Sequence, residues 1–400
     1  MSGPLEGIRV VEIGFWVAGP SAAAILGDWG ADVIKIEPPN GDPSRGFLAS
    51  VTGEPIPVNP LFELDNRGKR SIVLDLETDE GRSISRALID RADVFVTNVR
   101  PRVLEAAGLT YEERRQSNPG LIFCQVTGYS PDGPDRDRAA YDVGAFWARG
   151  GVAASLTAPG HEFPQQRYGM GDHMAGSTAA GAVCAALLAR SRTGQGQRLS
   201  VSLLRLGAYM VGSDLSVALR LGIPLEPYDH RHAINPIINC FQAGDGRWLW
   251  LLLLQGDRHW PDLCRAIERE DLRSDPRFAS IVVRRDNAPA LVEELDRVFA
   301  TKTLTEWAEI LDREDVWWAP VNSVYDMLQD TVVHEAGVFI DVPGPEGEIK
   351  GVASPTDFYG TPWKPRSYAP ELGQHTEEVL LELGYDWDQI VALKEASVIP

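Results

Sequence analysis

The sequence predicts an α/β protein in which a parallel sheet, covered by helices on both faces, is followed by a smaller α+β domain. Five short apolar runs alternate with helical patterns in the first half of the chain, at residues 8–14, 32–37, 71–77, 93–98 and 121–129. These runs are rich in β-branched residues and mostly hydrophobic on both faces, as buried strands of a parallel sheet are. The length of 400 residues also exceeds what one core usually serves, so a second domain is expected.

Helical patterns lie between the apolar runs. Residues 20–30 follow the first run, residues 78–92 follow the third, and a longer stretch of small residues begins after Gly169-Met170-Gly171. This order is that of βαβ units, whose strands run parallel. We therefore assign residues 1–205, completed by 335–400, to the large domain.

The second half of the chain predicts a different layout. Residues 238–255 suggest two strands joined by a Gly-Asp-Gly turn at 244–246. Helical patterns follow at 258–269, 288–301 and 304–315, the last with Thr303 or Thr305 as its N-cap. The expected small domain spans 225–330, with connectors at 206–224 and 331–360.

The net charge of −19 restricts the possible partners. Nucleic acid and anionic membranes are poor partners for an acidic surface, so neither is expected. An anionic small ligand would need a local cluster of Arg and Lys. No apolar run approaches the ~20 residues of a membrane span, and the first residues lack the pattern of a signal peptide. We expect a cytoplasmic protein.

Common cofactor and catalytic motifs are missing from the sequence. The four cysteines lie far apart, with no CxxC pair, so buried thiols are expected rather than a metal site. There is no Gly-x-Ser-x-Gly elbow, His-Glu-x-x-His or P-loop. The turn EIGFWVAGPSAAAIL has the wrong glycine spacing for a dinucleotide fingerprint. It does follow the first strand, where open α/β sheets bind ligands.

Basic residues gather around the third and fourth predicted strands. Each alone is typical of a solvated surface charge, whereas several together near strand ends would suit a phosphate-bearing ligand. The sequence leaves both interpretations open. The residues are Arg67, Lys69, Arg70, Arg100, Arg102, Arg136 and Arg138.

Asp172 lies where a Gly-Met-Gly turn leads into the helix of small residues. Asp is a preferred N-cap, so this residue either caps the helix or presents a carboxylate for chemistry. His173 is the next residue, and successive side chains on a helix point about 100° apart. We therefore interpret His173 as a supporting or surface residue.

Long segments of the chain resemble the class III CoA-transferases, also called the CaiB/BaiF family. The resemblance is carried by PLEGIRVVEIG, AGPSAAAILGDWGADVIKIEPPNGDPSR, NRGKRSIVLDLETDEGR, NVRPRVLEAAGLTYEERRQSNPGLIF, AAYDVGAFWARGG and GMGDHMAGSTAAGAVCAALLARSRTGQGQRLSVSLL, with DPRFASIVVRRDNAPAL and APELGQHTEEVLLELGY later. It implies a Rossmann-like large domain, a small α+β domain and an interlocked, ring-like homodimer. It also implies CoA and acyl-CoA as substrates, a free carboxylic acid as acceptor, and no permanently bound cofactor.

The resemblance also implies roles for individual residues. Asp172 matches the nucleophile that forms acyl-aspartyl anhydride and aspartyl-CoA thioester intermediates. The implied CoA contacts are Phe15, Trp16, Val17 and Ala18; Asn66, Arg67, Lys69 and Arg70; Asn98, Val99 and Arg100; and Tyr141 with Asp142. Two positions depart from the family pattern: Val17 replaces a glutamine, and Ala106 replaces an arginine for which Arg102 is a substitute.

Two other questions stay open at the level of sequence. Related α-methylacyl-CoA racemases share the implied fold but use a His-Asp pair, where this chain has Tyr141-Asp142. A CoA-linked dehydratase-type activity, a nucleotide-binding oxidoreductase and a plain CoA-binding protein are further alternatives. Gln255, Gly256 and Asp257 are expected to form a lid that lacks the family's glycine-rich loop. With Phe15, Trp16, Phe146 and Trp147, this favours an aryl or branched acyl group over formate or oxalate.

Overall fold

The chain folds into two compact units. The computed structural model describes residues 3–56 and 58–400. Of the described residues, those within 3–153, 165–221 and 337–400 belong to the first unit, and those within 154–164 and 222–336 to the second. Residues 206–221, which the sequence analysis treats as part of a connector, thus belong to the first unit.

The first unit is built around a sheet of six strands. They are β1 (Arg9–Ile13), β2 (Asp32–Glu37), β3 (Lys69–Val73), β4 (Val94–Thr97), β5 (Ile122–Thr127) and β6 (Gln197–Ser202). Their order is β3-β2-β1-β4-β5-β6, and every neighbouring pair is parallel. The predicted α/β class with a parallel sheet is confirmed. Strand β6 is not among the predicted strands, because its residues QRLSVS are largely polar and lie at the edge of the sheet.

Ten helices accompany this part of the described chain. They are α1 (Ala18–Asp28), α2 (Ser44–Thr52), α3 (Pro60–Asn66), α4 (Asp79–Asp90), α5 (Pro101–Ala107), α6 (Tyr111–Ser117), α7 (Val152–Ser155), α8 (Met170–Thr193), α9 (Leu203–Met210) and α10 (Gly212–Leu221). A π-helical segment covers Val143–Ala148.

The second unit has a small antiparallel sheet and several helices. The strands are β7 (Cys240–Gln242), β8 (Trp248–Leu251) and β9 (Trp318–Pro320), in the order β7-β8-β9. The helices are α11 (Gly256–Ala266), α12 (Glu270–Ser274), α13 (Ile281–Asp286), α14 (Ala288–Phe299), α15 (Leu304–Arg313), α16 (Val324–Met327) and α17 (Thr331–Glu335). The predicted hairpin and its turn at 244–246 are present. Thr303, one of the two proposed caps, forms a capping box with Glu306.

The C-terminal residues return to the first unit. They form the hairpin β10 (Phe339–Gly344) and β11 (Gly347–Val352), then α18 (Thr376–Leu383) and α19 (Trp387–Glu395). Within the described residues no helix is both long and apolar enough to cross a membrane.

The strands of the large sheet are apolar on both faces because each face has its own core. Val10 pairs with Val33 and Val94, and these three side chains belong to the cluster that contains residues of α1 and α8. The next residues along the same strands, such as Val11, belong to the opposite cluster with residues of α4, α18 and α19. All are essentially inaccessible to solvent, so the alternation of faces accounts for the two-sided hydrophobicity of the sequence.

Small residues allow α1 and α8 to approach each other closely. A Cβ atom added to Gly176 would lie 2.1 Å from Ser21 Oγ and 2.9 Å from the Ala22 nitrogen. At Gly181, five residues further along the same helix, an added Cβ would meet nothing within 4 Å. The small-residue composition of α8 is therefore a packing requirement at Gly176 and not at Gly181.

We expect Gly176→Ala and Gly181→Ala to change stability in opposite directions. Gly176→Ala should lower the free energy of unfolding by about 1–3 kcal/mol, because overpacking outweighs the better helix propensity of alanine. Gly181→Ala should raise it by about 0.5–1 kcal/mol. Urea unfolding of the two variants beside the parent chain measures both changes. Equal effects at the two positions would contradict this account of the α1–α8 contact.

Candidate active site

A cleft opens where the order of the parallel sheet reverses. The strands β1 and β4 are neighbours. After β1 the chain continues to β2, on one side of this pair in the strand order, and after β4 it continues to β5, on the other side. In open α/β sheets, such a point leaves a crevice at the carboxyl ends of the strands. Here it is a cleft of about 510 Å³, lined by residues after β1, β2, β4 and β5 and by Asp172. It is larger than three neighbouring pockets, of about 210, 320 and 300 Å³, which the described residues also form.

The segments after β1 and β4 meet in this cleft. Phe15, Trp16 and Ala18 line it from one side, and Asn98, Val99 and Arg100 line it from the other. The Phe15 N–H donates to Asn98 Oδ1 at 2.9 Å, and Asn98 Nδ2 donates to the Phe15 carbonyl at 2.7 Å. Val17 is buried at the start of α1 and does not line the cleft. The structure therefore joins two of the predicted contact segments through one side chain.

Asp172 is not the cap of the helix that carries it. Helix α8 begins at Met170 with Gly169 as the N-cap residue, so Asp172 is the third helical residue. The capping bond comes from another segment: Asp142 Oδ2 accepts the Gly171 N–H at 3.0 Å and also the Gln166 amide at 2.8 Å. Among the described residues, the Asp172 carboxylate has no hydrogen-bond partner, although it faces the cleft.

The environment of Asp172 favours its protonated form. Burial, followed by the negative charge of Asp142, raises the pKa of Asp172 to about 7. The nearby His173 opposes this shift, and Asp65 adds to it. A carboxylate with a pKa near neutrality, in a cleft, at the positive end of a 24-residue helix, is a common combination at catalytic sites.

His173 is held beside Asp172 by a buried carboxylate. Its Nε2 lies 3.1 Å from Asp65 Oδ1, and Asp65 is 3% exposed. Burial alone would lower the pKa of His173, but the hydrogen bond and charge of Asp65 raise it above its usual value. His173 is thus bound to a partner on α3, and its supporting role stays a prediction.

The guanidinium groups of two arginines at the rim of the cleft have no acidic partner among the described residues. Arg100 and Arg102 both line the cleft and are exposed. Within the part of the chain that the structure describes, neither guanidinium forms an ion pair, and only the backbone N–H of Arg102 meets a carboxylate, Asp137 Oδ1, at 3.0 Å. They are the local positive charge that an anionic ligand of this acidic chain requires.

The cations around the start of β3 are placed differently. Arg67 pairs with Asp28 at 2.6 Å, and Lys69 pairs with Glu12 at 2.6 Å; both cations are buried. Arg70 pairs with Asp32 and Glu382, each at 2.7 Å, and Asn66 donates to the Phe62 carbonyl. The structure does not bring these four predicted contacts to the cleft. They lie at or before the amino end of β3, whereas the ligand-binding edge is formed by carboxyl ends.

The remaining predicted residues fall into two groups. Tyr141 lines the cleft. Phe146 and Trp147 are instead buried in the core. Phe146 packs tightly against α8, because a Cβ atom added to Gly171 would lie 2.7 Å from its ring. In the second unit, Asp257 pairs with Arg284 and accepts the Ile281 N–H at 2.7 Å. Gln255 immediately precedes α11 and Gly256 begins it. The lid function of residues 255–257 stays a prediction.

A row of aromatic rings beside the cleft was not expected. Tyr141 contacts Trp16 with ring centres 6.1 Å apart, Trp16 contacts Phe47 at 5.6 Å, and Phe47 stacks on Tyr168 at 5.0 Å. Burial and the charges of Asp65 and Asp172 raise the pKa of Tyr168 to about 12. Tyr168 precedes Asp172 by only four residues, and this short separation is the sequence signal that could have identified it. Nothing in the local sequence distinguishes Phe47.

Comparison with known proteins agrees with this architecture. A family model described as CoA-transferase family III matches residues 5–376. The chain is 36% identical, over 99% of both chains, to (R)-2-hydroxy-4-methylpentanoate CoA-transferase of Clostridioides difficile. It is 32% identical to cinnamoyl-CoA:phenyllactate CoA-transferase of Clostridium sporogenes, over 98% of this chain and 96% of that protein.

The fold is also similar to a solved structure. A CaiB/BaiF family protein from Brucella suis superposes with a TM-score of 0.84 at 30% identity, covering 96% of this chain and 100% of that one. The match of the family model across most of the chain, together with these relatives, shows that the chain belongs to CoA-transferase family III.

Proposed function

We propose that this enzyme moves CoA from an acyl-CoA donor to a free carboxylic acid, with Asp172 as the nucleophile. The observation that carries the proposal is the Asp172 carboxylate, which faces the cleft without a hydrogen-bond partner among the described residues. Its pKa of about 7 makes it more basic than an ordinary aspartate, and a more basic carboxylate is a better nucleophile.

The proposed reaction begins with attack of an Asp172 oxygen on the thioester carbonyl carbon. The C–S bond breaks, CoA leaves as a thiolate, and a mixed anhydride forms. The thiolate then attacks the Asp172 carbonyl carbon, which releases the first acid as a carboxylate and leaves an aspartyl-CoA thioester. Attack of the acceptor carboxylate on that thioester, and return of the thiolate to the acceptor's acyl carbon, regenerate Asp172 and complete the new acyl-CoA.

The cleft offers groups suited to each part of the substrate. Arg100 and Arg102, whose guanidinium groups have no ion-pair partner among the described residues, would contact the CoA phosphates. The positive end of α8 would stabilise negative charge as it develops on the carbonyl oxygens.

The aromatic row of Tyr141, Trp16, Phe47 and Tyr168 favours an aryl or branched acyl side chain. The names of two relatives, which refer to 4-methylpentanoate and to cinnamoyl and phenyllactate groups, agree with that class.

We also propose a homodimer. Helices α9 and α10 expose large apolar side chains, including Tyr209, Leu219 and Leu221, which are 84%, 82% and 66% accessible. Such a patch is typical of a surface that another chain covers. Light scattering at micromolar concentration should give a dimer mass for the purified chain, and a monomer mass would contradict the proposal.

Hydroxylamine should trap the acylated enzyme at Asp172. Incubation with an acyl-CoA and hydroxylamine should place a hydroxamate on the peptide that contains Asp172, as read by mass spectrometry. Asp172→Ala should abolish the adduct and lower transfer by roughly 10³-fold or more, as loss of a nucleophile does. Asp388→Ala is the matched control, since Asp388 is an exposed carboxylate in the first turn of α19. Full activity of Asp172→Ala would contradict the proposed mechanism.

The rate of trapping should depend on pH through the ionisation of Asp172. Only the carboxylate attacks, so the rate at low acyl-CoA concentration should rise with pH and level off above about pH 7. Asp142→Asn removes a negative charge that raises the pKa of Asp172, so its midpoint should move to lower pH. His173→Gln removes an opposing positive charge, so its midpoint should move to higher pH.

The two shifts of opposite sign distinguish Asp172 from the other groups that face it. Those groups are Asp142, His173, Asp65 and Tyr168. A profile that is flat between pH 5 and 8, or midpoints that coincide in the parent and both variants, would contradict the assignment of the titration to Asp172.

A further inference from the structure

Trp16 has a backbone conformation that a tryptophan rarely adopts. Its φ angle is 65°, in the left-handed region that favours glycine, and it lies in the turn between β1 and α1. A bulky residue at positive φ is strained, and such strain persists only where the surroundings impose it. The turn also forms one wall of the cleft. The groups that impose this conformation therefore bear on the shape of the site.

Side chains from three other places hold the turn. Asp42 Oδ1 accepts the Trp16 N–H at 3.1 Å, and Asn98 makes the two bonds to Phe15 already described. Lys35 Nζ donates to the Gly14 carbonyl at 2.8 Å. Backbone groups of three successive residues are thus bonded to Lys35 on β2, Asp42 after β2 and Asn98 after β4.

These side chains are themselves fixed by a buried ion network. Lys35 Nζ lies 2.8 Å from Glu12 Oε1 and 3.0 Å from Asp42 Oδ2, and all three side chains are fully buried. Asp42 Oδ1 also accepts the backbone N–H and the hydroxyl of Ser44, at 2.9 and 2.8 Å. Buried ion pairs contribute little net stability, because desolvation offsets the attraction, but they do restrict geometry. The network is suited to imposing one conformation on the turn.

The conformation of Trp16 decides where its indole ring lies. In this conformation the ring contacts Phe47 and Tyr141 and completes the aromatic row beside Asp172. A change to negative φ would turn the Cα–Cβ bond away from that position and interrupt the row. The ring's place in the cleft therefore depends partly on bonds to Asp42 and Lys35, two groups that do not line the cleft themselves.

We propose that Asp42, Lys35 and Asn98 are positioning residues that hold Trp16 in its strained conformation and thereby set the preference of the cleft for aryl and branched acyl groups. The proposal rests on the proposed function, since it concerns selection among acyl-CoA donors. Trp16 acts on the acyl group directly, and Asp42 and Lys35 act through it. Asn98 lines the cleft itself and holds the neighbouring residue, Phe15.

The test combines Asp42→Asn with Trp16→Gly. Trapping by hydroxylamine is measured with 3-phenylpropanoyl-CoA and with propanoyl-CoA, and the ratio of the two kcat/KM values reports selectivity. Asp42→Asn, which keeps the side-chain shape, should lower this ratio about tenfold, the effect of a damaged apolar pocket. Trp16→Gly should lower it similarly, and the double variant should fall no further than Trp16→Gly alone.

A matched control removes a similar ion pair elsewhere. Asp28 is buried and paired with Arg67, away from the turn. Asp28→Asn should lower the thermal midpoint without changing the ratio. An unchanged ratio in Asp42→Asn, or an equal change in Asp28→Asn, would overturn the proposal. If Asp42→Asn does not fold, Asn98→Ala takes its place, both in the parent chain and combined with Trp16→Gly. The same results would then support or overturn the proposal.

A second measurement does not depend on activity. Glycine adopts positive φ without strain, so the loss of thermal midpoint caused by Asp42→Asn should be smaller in the Trp16→Gly background than in the parent. Equal losses in both backgrounds would overturn the proposal. If the parent chain shows no trapping with either donor, the proposed function fails. The thermal comparison would still decide whether Asp42 holds Trp16 in its strained conformation.

Discussion

The hydrogen bond from the Gly171 N–H to Asp142 organises the candidate site. A helix N-terminus needs an acceptor for its free N–H groups, and Asp142 meets that need from a distant segment. Because the cap is supplied from outside the helix, Asp172 is left to face the cleft with no bond of its own among the described residues. Two carboxylates at one helix start thus have different environments, one bonded to two donors and one unbonded.

This arrangement has a cost in stability. The pKa of Asp172 is about 7 in the folded chain and about 4 in an unfolded one. Between these values the unfolded chain binds fewer protons at this residue, so its contribution to the free energy of unfolding falls as pH rises from about 4 to about 7. Asp142 and Asp65 both increase this cost through their negative charges, and His173 reduces it. The conflict between stability and reactivity is common where a site has been arranged for chemistry.

The sequence was a good guide where a local pattern controls the outcome. The first five strands of the large sheet and the capping of α15 by Thr303 follow from periodicity and cap chemistry. The second strand predicted within residues 238–255 is shorter than that range suggests, because β8 ends at Leu251; beyond it Leu253 is buried, while Leu252 and Leu254 are exposed. The role of Asp142 as the cap of α8 could not be predicted, since the partners are 29 residues apart. The place of Phe47 in the aromatic row could not be predicted for a similar reason, because only the folded chain brings α2 to the β1–α1 turn.

The distribution of charge explains how an acidic chain can offer a site for an anion. Near the start of β3, Arg67 and Lys69 form buried ion pairs with Asp28 and Glu12. The positive charges of these two residues are therefore not available to a ligand. Arg100 and Arg102 lie at the carboxyl edge of the sheet and have no such partner in the described chain. Because exposed charges are screened beyond about 8–10 Å at ordinary ionic strength, a ligand in the cleft responds mainly to these two cations rather than to the net charge of −19. The edge of the sheet on which a cation lies, more than the number of cations in the sequence, decides whether it is available to bind a phosphate.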